Sequence, residues 1–310
     1  MTLGQLRTFV ALADTGSGRA AAHRLVVSQA AVSAAVAALQ REVGVPLVLR
    51  EGRGLRLTEA GEIFAGYARR IIGLSDEALA AASGAAEPGR GRLRLAAVTS
   101  AGEHLVPDLL AAFLARHPEV DISLQVENRQ RVWELLAHHE VDLAIGGRPP
   151  PRAASLASLP HQLVVVAGRR AGSRPGRKWA ARSVSRADLA GATWLLREPG
   201  SGTRATAEEV FAQLDLAPRI LTVGSNGAIV QSVRIGLGVT LISRDAVGDD
   251  LSTGTLEEWT HGPFPLERAW HLVTRADEPL PPTARLFLEE LLAAGWRRVG
   301  ARPSESSIKA

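Results

Sequence analysis

Leu3, Leu6, Phe9, Val10 and Ala13 recur at helical spacing, which predicts a first helix ending where residues 14–18 break the pattern. A short second helix is predicted around 19–26. Ser28 then stands where an N-cap belongs, and Val32, Val36, Leu39 and Val43 form the apolar stripe of a third helix closed by Gly44. The basic stretch 49–57, with glycines at 52 and 54, suits a β-hairpin wing. From Thr58 the spacing of Phe64, Tyr67, Ile71, Leu74, Ala78 and Ala81 predicts one long helix to about Ala86. Its apolar stripe suits a seam between two chains. Glu87-Pro88-Gly89-Arg90-Gly91 breaks that helix and marks a hinge.

Beyond the hinge the pattern becomes alternating strands and helices. Residues 93–98, 120–126 and 141–145 read as strands, with helices near 102–116 and 131–139. A second unit repeats the pattern, with strands 163–167, 193–196, 219–223 and 239–242 and helices starting near Thr203 and Asn226. A strand at 269–274 and a helix at 283–296 return the chain to the first unit. Two such units leave a cleft between them, the usual place for a ligand. Stretches 148–154 and 169–186 read as loops, and the last ten residues as a tail. The expected division is therefore residues 1–58, a linker 59–89, an α/β domain 90–300 and a tail 301–310. Within the α/β domain, residues 90–162 and 268–300 form one unit and 163–267 the other.

Length and charge sharpen this picture. At 310 residues the chain is long enough for two or three domains. It lacks cysteine, which excludes disulfides and thiolate-ligated metals and fits a reducing compartment. Neither a secretory leader nor a run of about 18 uncharged apolar residues is evident. The expectation is a soluble, cytoplasmic chain with no membrane partner. Seven arginines and three acids lie in residues 1–58, an excess of four that equals the formal charge of the whole chain. Positive charge confined to the first fifth points to a nucleic-acid partner.

The third helix buries Val32 and Val36, so Gln29, Ser33, Ala37 and Gln40 or Arg41 face the other way. A glutamine near the start of a recognition helix can bond adenine in the major groove, while Ser28, Ser33 and the helix N-terminus suit phosphates or bases. Arg50, Arg53 and Arg56 in the wing can neutralise phosphates or enter the minor groove. Arg19, opening the second helix, and Ala30 complete the candidate DNA-binding set. In the α/β domain, Ser201, Gly202 and Thr203 precede a helix, so N–H groups and two hydroxyls can converge on an anion there. Each could equally be a helix cap. Thr99 and Ser100 would face them across the cleft, Asn226 opens a third strand-to-helix junction, and Arg148 adds positive charge. His138 and His139 are adjacent, so on a helix they diverge and cannot chelate one metal. No metal site, cofactor or catalytic residue is expected, and the carboxylates on helices read as solvated faces. The rival reading is an anion-binding enzyme or solute-binding module with an interaction headpiece. Ser, Thr, Asn and Arg, however, are poor general bases near neutrality.

One ordered run carries a family resemblance: Leu6-Arg7-Thr8-Phe9, Gly16-Ser17, Ala20-Ala21, Leu25, Ser28-Gln29-Ala30-Ala31-Val32-Ser33, Leu39, Gly44-Val45-Pro46-Leu47, Arg50, Gly52-Arg53 and Leu57-Thr58-Glu59-Ala60-Gly61. It resembles the headpiece of LysR-type transcriptional regulators over about sixty residues. The resemblance implies a winged helix-turn-helix, a linker helix and a two-subdomain effector domain resembling periplasmic-binding proteins. It also implies a dimer or tetramer bound to an imperfect palindrome of double-stranded DNA, and it admits RNA polymerase as a partner. Ala30 and Val48 depart from the usual proline and phenylalanine, and Ala34 offers no basic group. Asp142-Leu-Ala-Ile-Gly-Gly-Arg148-Pro149-Pro150 together with Arg197-Glu-Pro-Gly-Ser-Gly-Thr-Arg204 resembles the branch of carbon-fixation-operon and sulfur-metabolism regulators. That branch implies a small anionic effector.

Overall fold

The computed structural model describes residues 1–51, 54–86, 88–168, 181–276 and 278–299, with the backbone alone at 80, 81, 83–86 and 88. Arg53, the stretch 169–180, the tail 301–310 and the side chain of Ala81 lie outside the described residues.

The headpiece holds α1 (Leu3–Thr15), α2 (Gly18–Leu25), α3 (Gln29–Val43) and a hairpin of β1 (Val48–Glu51) and β2 (Gly54–Leu57). Local chemistry sets each boundary. A capping box of Thr2 and Gln5 opens α1, and Gly16 ends it in the left-handed region at φ 63°. Ser28 Oγ accepts from the Ala31 amide to open α3. Leu6, Phe9, Leu12, Val32, Val36, Leu39 and Leu47 form the headpiece core with Ala65 and Ala68 of α4 (Glu59–Ala86). Two expectations are corrected. Gln40 does not face outward, because its Oε1 accepts from the amides of Leu47 and Val48 and ties α3 to the hairpin. Phe64 leaves the predicted seam to pack edge-on against Phe9, with ring centroids 5.3 Å apart.

The α/β domain follows in chain order: β3 (Arg92–Val98), α5 (Thr99–His104), α6 (Val106–Arg116), β4 (Asp121–Glu127), α7 (Arg129–Ala137) and β5 (Leu143–Gly146). Next come β6 (Ala153–Gly168), β7 (Arg182–Ser183), α8 (Arg186–Gly191), β8 (Thr193–Leu196), α9 (Gly202–Gln213), β9 (Arg219–Thr222), α10 (Asn226–Arg234) and β10 (Val239–Ser243). The chain closes with α11 (Gly248–Thr253), β11 (Leu256–Thr260), β12 (Leu266–Arg275), α12 (Pro282–Ala293) and β13 (Arg297–Arg298). One sheet runs in the order β4-β3-β5-β12-β6-β10-β8-β9. Parallel pairs occupy each end, β3 with β4 and β5, and β8 with β9 and β10. The long antiparallel ribbon of β6 and β12, paired from Leu266 opposite Leu163 to Arg275 opposite Ala153 with one register shift between Leu272 and Val273, joins the two units.

The structure corrects three further expectations. The single helix over 102–116 is two, α5 and α6, broken at Leu105. The strand expected at 163–167 begins at Ala153. Strands β7, β11 and β13 and helices α8 and α11 were not foreseen.

Candidate functional site

A cavity of about 310 Å³ lies between the two units. Thr99, Ser100, Arg148, Ser201, Gly202 and Thr203, all predicted, line it. Asn128, Arg129, His161, Arg197, Thr206, Glu209, Arg268, Trp270 and His271 line it as well, and the sequence reading missed them. Two helix N-termini meet at its rim. The amide of Gln130 in α7 donates to the carbonyl of Gly200 before α9 (3.3 Å), and a Cβ placed on Gly202 would stand 3.4 Å from Arg129 Cδ. Ser201 makes no side-chain cap to α9. Its Oγ lies 3.0 Å from Thr203 Oγ1, so the two hydroxyls stand together at the positive end of a 12-residue helix.

Asn226 is placed differently from the expectation. It is 3% exposed and does not line the cavity. Its Oδ1 accepts from Arg197 Nη1 (2.9 Å), and its Nδ2 donates to Ser100 Oγ (3.3 Å) and Glu103 (3.2 Å). Arg197 Nη2 donates to Thr99 Oγ1 (3.4 Å). Arg197 and Asn226 therefore already join α5 to the second unit, which fixes Thr99 and Ser100 at the cavity wall. Burial pushes the Glu198 carboxyl up, but hydrogen bonds from Arg197 and its charge outweigh that and hold it below the usual carboxylate range.

The charges on the cavity wall are uneven. Among the described residues Arg129, Arg148 and Arg268 have no carboxylate within ion-pair distance, whereas Arg197 is paired with Glu198. Glu209 is the one carboxylate on the wall. His161 stacks on Trp270 with centroids 3.9 Å apart and 6° between planes, and burial lowers its pKa to about 4. Neutral stacked rings thus form one wall, beside the unpaired guanidiniums.

On the headpiece, Arg19, Ser28, Gln29, Ala30, Ser33, Arg50 and Arg56 are all exposed. Gln29 lies against the start of α2, its Cγ 3.7 Å from where a Gly18 Cβ would stand. Ser28 is occupied as the α3 cap, and Arg56 pairs with Glu51 at 3.6 Å. Arg19, Arg41 and Arg50 have no carboxylate partner among the described residues.

Residues 3–62 match the model of bacterial regulatory helix-turn-helix proteins of the lysR family, and residues 86–296 match the LysR substrate binding domain. The chain belongs to the LysR family. It is a transcriptional regulator and not an enzyme. Among LysR relatives, the regulator CbbR of Rhodospirillum rubrum is 35% identical over 294 residues, which cover 94% of this chain and 96% of that protein. The RuBisCO operon transcriptional regulator of Allochromatium vinosum is 36% identical over 306 residues, covering 96% and 97%. These relatives place the chain beside the carbon-fixation branch of LysR proteins. The regulatory domain of Synechocystis CcmR, solved in complex with 2-PG, superposes with a TM-score of 0.58 at 28% identity, covering 66% of this chain and 96% of that one.

Proposed function

We propose that this LysR regulator reads double-stranded DNA with the N-terminal end of α3 and the hairpin, and that a small anion in the cleft controls that reading. Gln29 and Ser33 face the bases, Ser28, Arg19 and Arg50 the phosphates, with Ala30 at the same helix end; Arg53 and Arg56 belong to the same contact. Thr99, Ser100, Ser201, Gly202, Thr203 and Arg148 hold the effector, and Asn226 supports them through Arg197. The single observation that carries the anion is the trio Arg129, Arg148 and Arg268, each lining the cavity without a carboxylate partner among the described residues, beside paired hydroxyls at a helix N-terminus. Unpaired charge of one sign on a cavity wall favours a ligand of the other. The 2-PG complex of the Synechocystis CcmR domain supports a phosphorylated acid as the effector class. The division at 58, 89 and 300 and a place in the cytoplasm, where operator DNA is found, belong to the same reading. So does self-association through α4, where Tyr67, Ile71 and Leu74 are 60%, 39% and 48% exposed.

Calorimetry with 2-phosphoglycolate, a sugar bisphosphate and sulfate tests the cleft. Thr203→Val keeps the shape and removes one hydroxyl donor, and should weaken the bound anion by about 1–3 kcal/mol. An anion that binds equally well to Thr203→Val and Ser100→Ala lies elsewhere, and both residues are then only structural.

A further inference from the structure

One short helix, α7, runs from the cleft to the linker helix α4, beside β12, whose Trp270 and His271 line the cavity and whose Arg275 meets Glu77 of α4. Helix α7 is nine residues long, about 13 Å from end to end. At its N-terminus, Asn128 caps the helix and lines the cavity with Arg129, and the amide of Gln130 reaches across to Gly200. Its C-terminal corner, His138 and His139, rests on α4. A Cβ on Gly73 would stand 2.3 Å from the His139 carbonyl oxygen, and one on Gly66 would stand 3.7 Å from His138 Nε2. Gly73 therefore has no side chain because the corner occupies its space.

Charged groups clasp this corner. Glu77 of α4 is 9% exposed; its Oε2 lies 3.2 Å from His139 Nδ1 and accepts from Arg275 Nη2 at 2.7 Å. Arg275 Nη1 donates to the carbonyl of Leu136, in the last turn of α7, and to that of Val141. Arg94, held by Asp142, donates to the His139 carbonyl (3.0 Å). His139 itself is in the left-handed region at φ 58°. Glu278 faces the other ring nitrogen at 3.5 Å. Glu77, His139 and Glu278 have the composition of a metal site, but the two carboxylates lie on different ring nitrogens, and an ion takes one nitrogen. The group is an ionic clasp. One side of the same contact is poorly satisfied, because Arg69 Nε, His138 Nδ1 and Glu140 Oε1 are buried without hydrogen-bond partners among the described residues. Unpaired buried groups lower the cost of opening a contact, as a two-position joint requires.

We propose that α7 is the strut through which the cleft acts on the linker helix, with its N-terminal end at the ligand and its C-terminal corner clasped to α4 by Glu77. The identity of the ligand rests on the function proposed above; the mechanical link does not. A ligand that draws α9 and α7 together moves a helix whose other end is fixed to the element joining the headpiece to the effector domain. Glu77 and Gly73 are positioning residues in this scheme.

Hydrogen exchange on the full chain tests it without a ligand. Gly73→Ala drives the corner off α4, and should change exchange severalfold at residues 128–131 and 200–203, at the far end of α7. Glu77→Gln, which keeps the helix and removes the charge, should act on the same residues, and it carries the test if Gly73→Ala does not fold. Gly66→Ala, one heptad away on α4, adds only an ordinary contact and should leave the cleft unchanged. Changes confined to residues 70–77 and 138–142 overturn the strut, as does an equal effect from Gly66→Ala. A second arm adds 2-phosphoglycolate, which on binding should alter exchange at 70–77 in the wild type and not in Glu77→Gln. If calorimetry finds no binding, the ligand class is wrong, and the first arm still decides whether the strut exists.

Discussion

At the scale of single residues, burial decides which protonation state the cleft uses. His161 lies against Trp270 with a pKa lowered to about 4, first by desolvation, and the nearby Asp245 charge only partly offsets this. An imidazole whose folded pKa is below its unfolded value near 6.5 binds fewer protons in the native state between those two values. Its contribution to stability is present above about 6.5 and is lost as pH falls toward about 4. Between pH 7.5 and 5 that loss is about 1–2 kcal/mol after allowance for partial exposure. Urea denaturation should show it in the wild type, and His161→Phe, which keeps the stack, should flatten the dependence. An unchanged pH slope in the variant would assign the acid sensitivity to other groups.

At the scale of elements, α4 does three jobs with different faces. Ala65 and Ala68 complete the headpiece core, Gly73 and Glu77 receive α7, and Tyr67, Ile71 and Leu74 remain exposed. If the exposed stripe is the seam between two chains, Ile71→Asp with Leu74→Asp buries charge there and should weaken both association and DNA binding. Light scattering on the full chain, together with DNA titration, measures the two effects. Unaltered DNA affinity would remove the seam from this face. The helices of the headpiece were legible because caps such as Ser28 and Gly44 frame a clear helical period. The first half of β6 was not, since Ser155, Ser158, Pro160 and His161 interrupt its alternation and only pairing with the distant β12 and β13 specifies a strand there. The clasp was hidden for a related reason. Glu77 meets His139 and Arg275 across separations of 62 and 198 positions, so in sequence it read as a solvated carboxylate. Asn226 was found but misplaced, because a strand-to-helix junction reveals an N-terminus and not the direction of the side chain.

At the scale of the whole molecule, charge separates the two recognition tasks. Three headpiece arginines pair with acids, Arg7 with Asp76, Arg24 with Asp14 and Arg56 with Glu51, which leaves Arg19, Arg41 and Arg50 free of carboxylates among the described residues. The cleft has its own trio, Arg129, Arg148 and Arg268, without a carboxylate partner among the described residues. In the proposed function, phosphate contacts at the headpiece would give a salt-dependent affinity, while an anion in the cleft would act only by its preference for one arrangement of the two units. The most direct measurement is fluorescence anisotropy of the wild-type chain on the DNA flanking its own gene, titrated with 2-phosphoglycolate at constant ionic strength and repeated with Thr203→Val. The anion is expected to change operator affinity in the wild type, and the variant to need about tenfold more anion for the same change. An operator affinity indifferent to every cleft-sized anion tested, or a response in Thr203→Val and Arg268→Ala identical to that of the wild type, would contradict that expectation.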